Sequence, residues 1–355
     1  MHTVVDDVAR RPFAEAPERQ PCSTIRAGTR TVVELMTLTE DHMELRQVGR
    51  TEVRISAVGL GGYELGPEAG DAPDVDGAVA LLRTGIENGV NWLDTSENYL
   101  ASANESLIGA ALRVVGPDFL VGSKVAPYAA QTGGASGFRP DQVHNACRES
   151  LRRLGRDQLD MYLLHYPDES GIPLEETWGA MSELATAGLV RAIGMSNYDL
   201  ADIEKCHAQR PVDVVQTGLS LLDYLDDRPL IRSCGDMGIA VTIYEPVASG
   251  LLTNVPYDQV RARWAGTAWE NSAFFRRLLS EDNADHCRTV TEEVRRIGAG
   301  IDATAAQTAI AWVLHQPGVT AAIAGSHSLL HTAENARAAY VDVRGILPEL
   351  DALTR

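Results

Sequence analysis

Short apolar runs alternate with longer amphipathic stretches through most of this chain. The apolar runs fall at 55–60, 91–94, 119–124, 159–165, 191–195, 212–216, 240–244 and 319–324. Runs of this length, apolar on successive positions, suit parallel strands buried on both faces. Between them, residues 75–88, 105–114, 140–154, 173–187, 202–209 and 229–237 carry helical spacing. Two more helical stretches, 286–297 and 304–315, precede the eighth run, and one at 330–340 follows it. Helix starts are marked by Pro140-Asp141 and by the acids in Leu174-Glu-Glu176, which suit the positive end of the helix dipole. Gly188, Gly238 and Gly298 stand where helices are expected to stop. Strands alternating with helices pair in parallel through right-handed crossovers. Eight such units, with no GxGxxG after the first strand, predict a closed (β/α)8 barrel rather than an open doubly wound sheet.

The segment from Met43 to Ile55 alternates polar and apolar residues, as a half-exposed hairpin capping the barrel bottom does. Residues 1–42 are polar and read as a loose N-terminal extension. No linker interrupts the remainder, so 43–355 is expected to be a single barrel domain. The net charge of −18 removes the basic surplus that nonspecific nucleic-acid binding requires. No run of ~18 apolar residues is present, and the N-terminus lacks an apolar signal core, so a cytoplasmic protein is expected. The five cysteines (22, 147, 206, 234 and 287) never form a CxxC pair, which suits reduced structural thiols and gives no metal site.

Four ionisable side chains stand at or just beyond the C-terminal ends of predicted strands. Asp94 and Tyr99 belong to the stretch after 91–94, Lys124 closes the third run and His165 the fourth. All strand C-termini of a parallel barrel open on one face, so these groups are expected to converge. An acid, a phenol, an amine and an imidazole around one pocket can carry proton-coupled hydride transfer. Taken singly, each has a plain structural reading: a surface tyrosine, a solvated lysine, a helix cap, a core histidine.

The chain resembles the aldo-keto reductases from about Met43 to Ala339. The resemblance rests on Val58-Gly-Leu-Gly-Gly-Tyr63, Leu93-Asp-Thr-Ser-Glu-Asn-Tyr99, Ser123-Lys124 and Glu149-Ser-Leu-Arg-Arg-Leu154. It continues through Asp160-Met-Tyr-Leu-Leu-His165, Gly194-Met-Ser-Asn197, Gln216, Tyr244-Glu-Pro-Val-Ala-Ser-Gly-Leu-Leu252, Gly325-Ser-His327 and Glu334-Asn335. The resemblance implies a TIM barrel without a separate Rossmann domain, and NAD(P)H-dependent reduction of an aldehyde or ketone, or the reverse oxidation. Tyr99 would be the general acid. Lys124 would favour its phenolate, Asp94 would hold the ammonium, and a neutral His165 would donate to the carbonyl oxygen.

Cofactor residues follow from the same resemblance. Ser196, Asn197 and Gln216 would bond the nicotinamide carboxamide, and Tyr244 would stack on its ring. Pro246, Val247 and Ser249 would line the pyrophosphate path. Gly62, Tyr63, Asp94, Gly325, Ser326, His327, His331, Glu334 and Asn335 complete the expected cofactor set. Glu245 stands where many relatives have Ser. Gly325, His327 and His331 replace the cations that usually meet an adenosine 2′-phosphate. NADP(H) is expected ahead of NAD(H), with a small margin; Arg261 and Arg263 are the other cations considered, the expectation being a solvated face.

The pocket rim is expected from Tyr63, Glu64, Tyr99, Leu100, Tyr128, Tyr166 and the 253–285 loop with Trp264 and Trp269. The expected partner is a small carbonyl or alcohol, with no nucleic acid and no membrane. The alternatives are a cofactor-binding regulatory module with little turnover, and an unrelated barrel lyase using Lys124 as a Schiff-base amine. About fifteen residues after the last predicted helix leave no long C-terminal loop to close the pocket.

Overall fold

The computed structural model describes residues 43–65, 74–127, 137–168, 170–222, 227–266, 270 and 275–354. The expected extension, residues 1–42, lies outside them. Strands β1 (Leu45–Gln47) and β2 (Arg54–Ser56) pair antiparallel, with Leu45 opposite Ser56. Gly49 makes their turn at φ +53°, and a Cβ there would come within 2.8 Å of the Asp213 Cα. Only a glycine fits both demands.

Eight parallel strands then close a barrel: β3 (Val58–Gly61), β4 (Trp92–Asp94), β5 (Leu120–Val125), β6 (Leu159–Leu164), β7 (Val190–Ser196), β8 (Val214–Gly218), β9 (Ala240–Tyr244) and β10 (Ala321–Gly325). Closure runs through β10, whose Gly325 pairs with Gly61 of β3. The floor of the barrel is apolar. Val48, Val53 and Ile55 of the hairpin pack with Trp92, Met161, Leu163, Val214 and Ile323 of the strands. The hairpin therefore caps the bottom as its alternation predicts. Trp92 leaves no room for a side chain at position 59, which explains the glycine there.

The helices cover the outside: α1 (Val75–Glu87), α2 (Ala103–Val115), α3 (Pro140–Leu154), α4 (Leu174–Thr186), α5 (Leu200–Gln209), α6 (Arg228–Asp236), α7 (Tyr257–Trp264), α8 (Ala284–Ala299), α9 (Ala305–Leu314), α10 (Leu329–Arg337) and α11 (Leu347–Asp351). Most bury one stripe; α3 buries Val143, Ala146, Cys147, Leu151 and Leu154. α9 is buried nearly all round because α8, α10 and the Ala338–Tyr340 turn pack on it, and α11 adds one tie, the Trp312 indole donating to Asp351 at 2.8 Å.

Four expectations change. The run 55–60 is two strands, since Ile55 and Ser56 belong to the hairpin and Val58–Gly61 to the barrel. Gly298 does not stop a helix: α8 runs to Ala299, and the glycine instead lets α9 come close, its absent Cβ facing Thr308. The 253–285 segment is not a plain loop but contains α7 and a π turn at Phe275–Leu279. The C-terminus carries α11 beyond the last predicted helix.

Candidate functional site

Asp94 is the last residue of β4 and points into the barrel mouth, 5 % exposed. Lys124, near the end of β5, is wholly buried and meets it at 2.5 Å, Nζ to Oδ2. The ammonium also donates to the Thr95 carbonyl at 2.9 Å. The other Asp94 oxygen accepts from Gln216 Nε2 of β8 at 3.0 Å. A buried carboxylate with both oxygens bonded, and a buried ammonium with two partners, form a matched pair with little net charge.

Tyr99 follows in a short helical turn, Tyr99–Ser102. The loop leading to it is heavily bonded. Thr95 bonds Asn104 at 2.6 Å, Asn104 donates to the Gly62 carbonyl at 2.7 Å, and Glu97 accepts from the Ala126 amide at 2.8 Å. Leu100 (φ 53°) and Ser102 (φ 73°) are held left-handed without being glycine, a cost of about 1–3 kcal/mol each. The loop accepts that strain to set a leucine on the rim. The phenol packs edge-on against Tyr63, ring centroids 5.1 Å apart, and Lys124 Nζ lies 5.3 Å from its centroid. Burial first, then the Asp94 and Glu245 carboxylates, hold the Tyr99 hydroxyl well above the ordinary phenol range. Lys124 lies beside this ring with its amine paired to Asp94.

His165 stands just past β6, 4 % exposed. Its ring stacks on Tyr166 at 4.1 Å and meets Tyr99 edge-on at 5.7 Å. Burial, and then the Lys124 charge, hold its pKa well below the usual histidine range, so the imidazole is neutral. Asp94, Tyr99, Lys124 and His165 thus meet at the open end of one barrel.

The expected carboxamide trio divides. Asn197 (φ 66°) donates to the His165 carbonyl at 2.9 Å and to Ser196 at 3.0 Å, and its amide oxygen accepts from the Tyr244 hydroxyl at 2.8 Å. Gln216 belongs to the Asp94 side, with Thr242 as a further contact at 3.5 Å. The next turn, after β9, places Glu245, Ala248 and Ser249 at φ of 54°, 48° and 52°, and Ser249 donates to Glu245 at 3.2 Å. The Glu245 carboxylate is near enough to both Tyr99 and Tyr244 to raise their phenols, after burial.

Gly62 follows β3, and its amide donates to the Asp94 carbonyl at 2.7 Å; Tyr63 is half-buried beside Tyr99. Gly325 ends β10. Ser326 and Ser328 bond each other, and Ser328 caps α10. His327 and His331 are exposed at that helix start; Glu334 is half-buried and Asn335 buried in the same helix. Arg261 and Arg263 lie on α7. Arg261 is tied to the Leu279 carbonyl at 3.0 Å and lies 3.6 Å from Glu281, while Arg263 covers the Trp264 ring. The rim residues Tyr128 and Trp269 lie outside the described residues. Sequence reasoning did not single out Ser96, Glu97, Asn104 or Thr242. The first two were in the quoted motif, but their value depends on contacts across the fold. Among the described residues no group of His, Cys, Asp and Glu could hold a metal ion, and no helix is long and apolar enough to cross a membrane.

A family model described as the aldo/keto reductase family matches residues 57–343. A probable aldo-keto reductase 1 of Glycine max is 26 % identical over 311 residues, 84 % of this chain and 85 % of the relative. An NADH-specific methylglyoxal reductase of Escherichia coli (strain K12) is 26 % identical over 312 residues, 83 % and 93 % of the two chains. Among solved structures, the thermostable aldo-keto reductase Tm1743, in complex with the inhibitor epalrestat, is similar at TM-score 0.69 and 30 % identity. That likeness covers 88 % of this chain and all of the other. The holo form of an aldo-keto reductase from Bacillus halodurans shares the fold at TM-score 0.71 and 23 % identity, covering 88 % and 97 %.

Proposed function

The chain belongs to the aldo/keto reductase family of oxidoreductases, and from that premise we propose that it reduces an aldehyde or ketone with NAD(P)H, Tyr99 delivering the proton. The observation that carries this reading is the meeting of Asp94, Lys124, Tyr99 and neutral His165 at one barrel mouth. The nicotinamide supplies the hydride when bound. Everything else falls to the chain. Tyr99, held well above the ordinary phenol range, keeps its proton at neutral pH and can hand it to an alkoxide as charge develops. Lys124, held by Asp94 and Thr95, lies 5.3 Å from the Tyr99 ring centroid and brings its charge to that side of the transfer. Tyr63, Tyr166 and Leu100 supply an apolar and aromatic rim that thins the water around the transfer.

The residues fit a nicotinamide cofactor. Ser196, Asn197 and the Gln216 carbonyl oxygen offer the donors and acceptors an amide needs, and the Tyr244 ring lies beside them. The α10 start offers backbone N–H groups to a phosphate, but no Lys or Arg stands in 325–331. A 2′-phosphate therefore gains no fixed cation from this segment, and NADH is expected to serve nearly as well as NADPH. An NADH-specific relative supports that expectation. A lyase with Lys124 as a free amine fits poorly, since the ammonium is buried and paired at 2.5 Å.

Fluorescence titration with each cofactor, followed by turnover on a panel of small aldehydes and ketones, tests the reading. Binding of NAD(P)H with turnover of at least one carbonyl class is expected. Cofactor binding with no turnover anywhere on the panel would favour the regulatory module instead.

A further inference from the structure

Strand β5 outruns its neighbour β4. Asp94, the last residue of β4, pairs with Gly122, while β5 continues to Val125, so the far end of β5 lies beyond the strand next to it. The loop after β4 takes over there. The Thr95 N–H donates to the Gly122 carbonyl at 2.8 Å and the Glu97 N–H to the Lys124 carbonyl at 3.3 Å, which continues the ladder. The next donor along β5, the Ala126 N–H, goes to the Glu97 carboxylate at 2.8 Å. That side chain supplies the acceptor that a longer β4 would have supplied. At 1 % exposure Glu97 is out of water, where a carboxylate is kept only if it is bonded.

Glu97 also anchors the turn that carries Tyr99. Its carbonyl accepts from the Ser102 hydroxyl at 2.8 Å, and the Tyr99 N–H donates to the Ser96 carbonyl at 3.2 Å. Within this turn Leu100 and Ser102 are left-handed, at φ 53° and 73°. Backbone held there persists only where the surroundings over-determine it. The direction of each bond is set by the groups themselves, since N–H groups donate and carbonyls and carboxylates accept.

We propose that Glu97 is a positioning residue whose carboxylate clamps the Tyr99 turn to the end of β5 and so fixes the phenol relative to Lys124 on that strand. This rests on the reading of Tyr99 as the proton donor. The Lys124 carbonyl is itself one of the clamp's acceptors, and its Nζ lies 5.3 Å from the Tyr99 ring centroid. One clamp therefore sets both partners. Released, the turn can relax its left-handed residues and shift the hydroxyl, and a misplacement on the order of 1 Å can cost about 10²-fold in rate.

The test compares Glu97→Leu, which keeps the bulk and removes the acceptor, with Glu97→Gln, whose amide oxygen can still accept from Ala126. Amide hydrogen exchange, measured on the full-length protein without cofactor or substrate, reads the clamp itself. In Glu97→Leu the Tyr99 and Ala126 amides should exchange about tenfold faster relative to Trp92 of the barrel floor, the scale of one lost hydrogen bond. Single-turnover reduction of a small aldehyde should slow about tenfold to a hundredfold in Glu97→Leu, with the NADH dissociation constant unchanged, and should recover in Glu97→Gln. In a Tyr99→Phe background, adding Glu97→Leu should lower the rate no further, because the group being positioned is gone. A structural role alone would lower both backgrounds alike. Should Glu97→Leu not fold, Ser102→Ala removes the turn's other anchor and is expected to act in the same direction. Unchanged exchange overturns the clamp. Faster exchange with an unchanged rate, or an equal further loss in the Tyr99→Phe background, overturns the positioning role. A wild-type protein that turns over no carbonyl counts against the reductase reading, while the exchange rates still decide the clamp.

Discussion

At the scale of single residues, Tyr99 and Lys124 separate the chemistry from the scaffold. Tyr99→Phe keeps the ring that packs on Tyr63 and removes only the hydroxyl. Its kcat is expected to fall by at least ~10², the scale of a lost general acid, with cofactor affinity nearly unchanged. A stopped-flow and fluorescence comparison checks both. The pH dependence has a definite sign. Because the phenol is raised by burial, Asp94 and Glu245, the proton-donating form persists through the neutral and mildly alkaline range. Reduction should therefore stay flat from about pH 7 to 9, while alcohol oxidation, which needs the phenolate, should climb with pH. A reduction rate that halves by pH 8 would place the titrating acid elsewhere. Lys124→Met is a different kind of change. It strands Asp94 as a buried carboxylate, so besides activity it should cost about 3–5 kcal/mol of stability, read from the urea midpoint.

Elements bring in effects that no single side chain shows. Gly298 lies inside α8, where replacing glycine by alanine ordinarily gains about 1 kcal/mol of helix propensity. Here the new methyl would face the Thr308 hydroxyl and come within 2.9 Å of the Ala303 carbonyl. Overpacking of that kind costs about 1–3 kcal/mol, so Gly298→Ala should destabilise despite the better propensity. Thermal denaturation of the two proteins decides which effect is larger. The α10 start is the corresponding place for cofactor choice. His327 is exposed at its beginning, and His327→Arg should strengthen NADPH binding by roughly tenfold to a hundredfold while leaving NADH nearly unchanged. Equal gains for both cofactors would mean that the side chain does not meet the 2′-phosphate.

For the whole molecule, the barrel floor and the barrel mouth are made of the same strands but answer to different demands. Trp92 of β4 fills the floor, with its indole N–H given to the Ser56 carbonyl at 3.0 Å, while Asp94, two residues on, is in the mouth. Trp92→Ala should cost about 3–5 kcal/mol through the cavity it leaves, seen as a lower denaturation midpoint. Four cysteines, 147, 206, 234 and 287, are free and buried in the described residues, and burial pushes the Cys147 thiol up to about 12. The Cys22 expectation lies outside the described residues.

The repeating period of apolar runs was enough to determine the barrel, because eight buried parallel strands leave few other ways to hide their faces. The hairpin cap and the strand-end placement of Asp94, Lys124 and His165 follow from the same local pattern. Elements whose meaning is set by distant neighbours were not legible. Gly298 looks like a helix stop until α9 is seen against it, and α11 carries no strong period of its own, its Asp351 meeting Trp312 only in the folded chain. At the site, residue types announced which groups could react, but their protonation depends on contacts between strands far apart in sequence. Gln216 reaches Asp94 across 122 positions, and Ser96 reaches His165 across 69. The sequence alone determined that a phenol, an amine, an acid and an imidazole would face one mouth. Only the tertiary structure decided which of them holds its proton, because burial and the nearest charge set that balance.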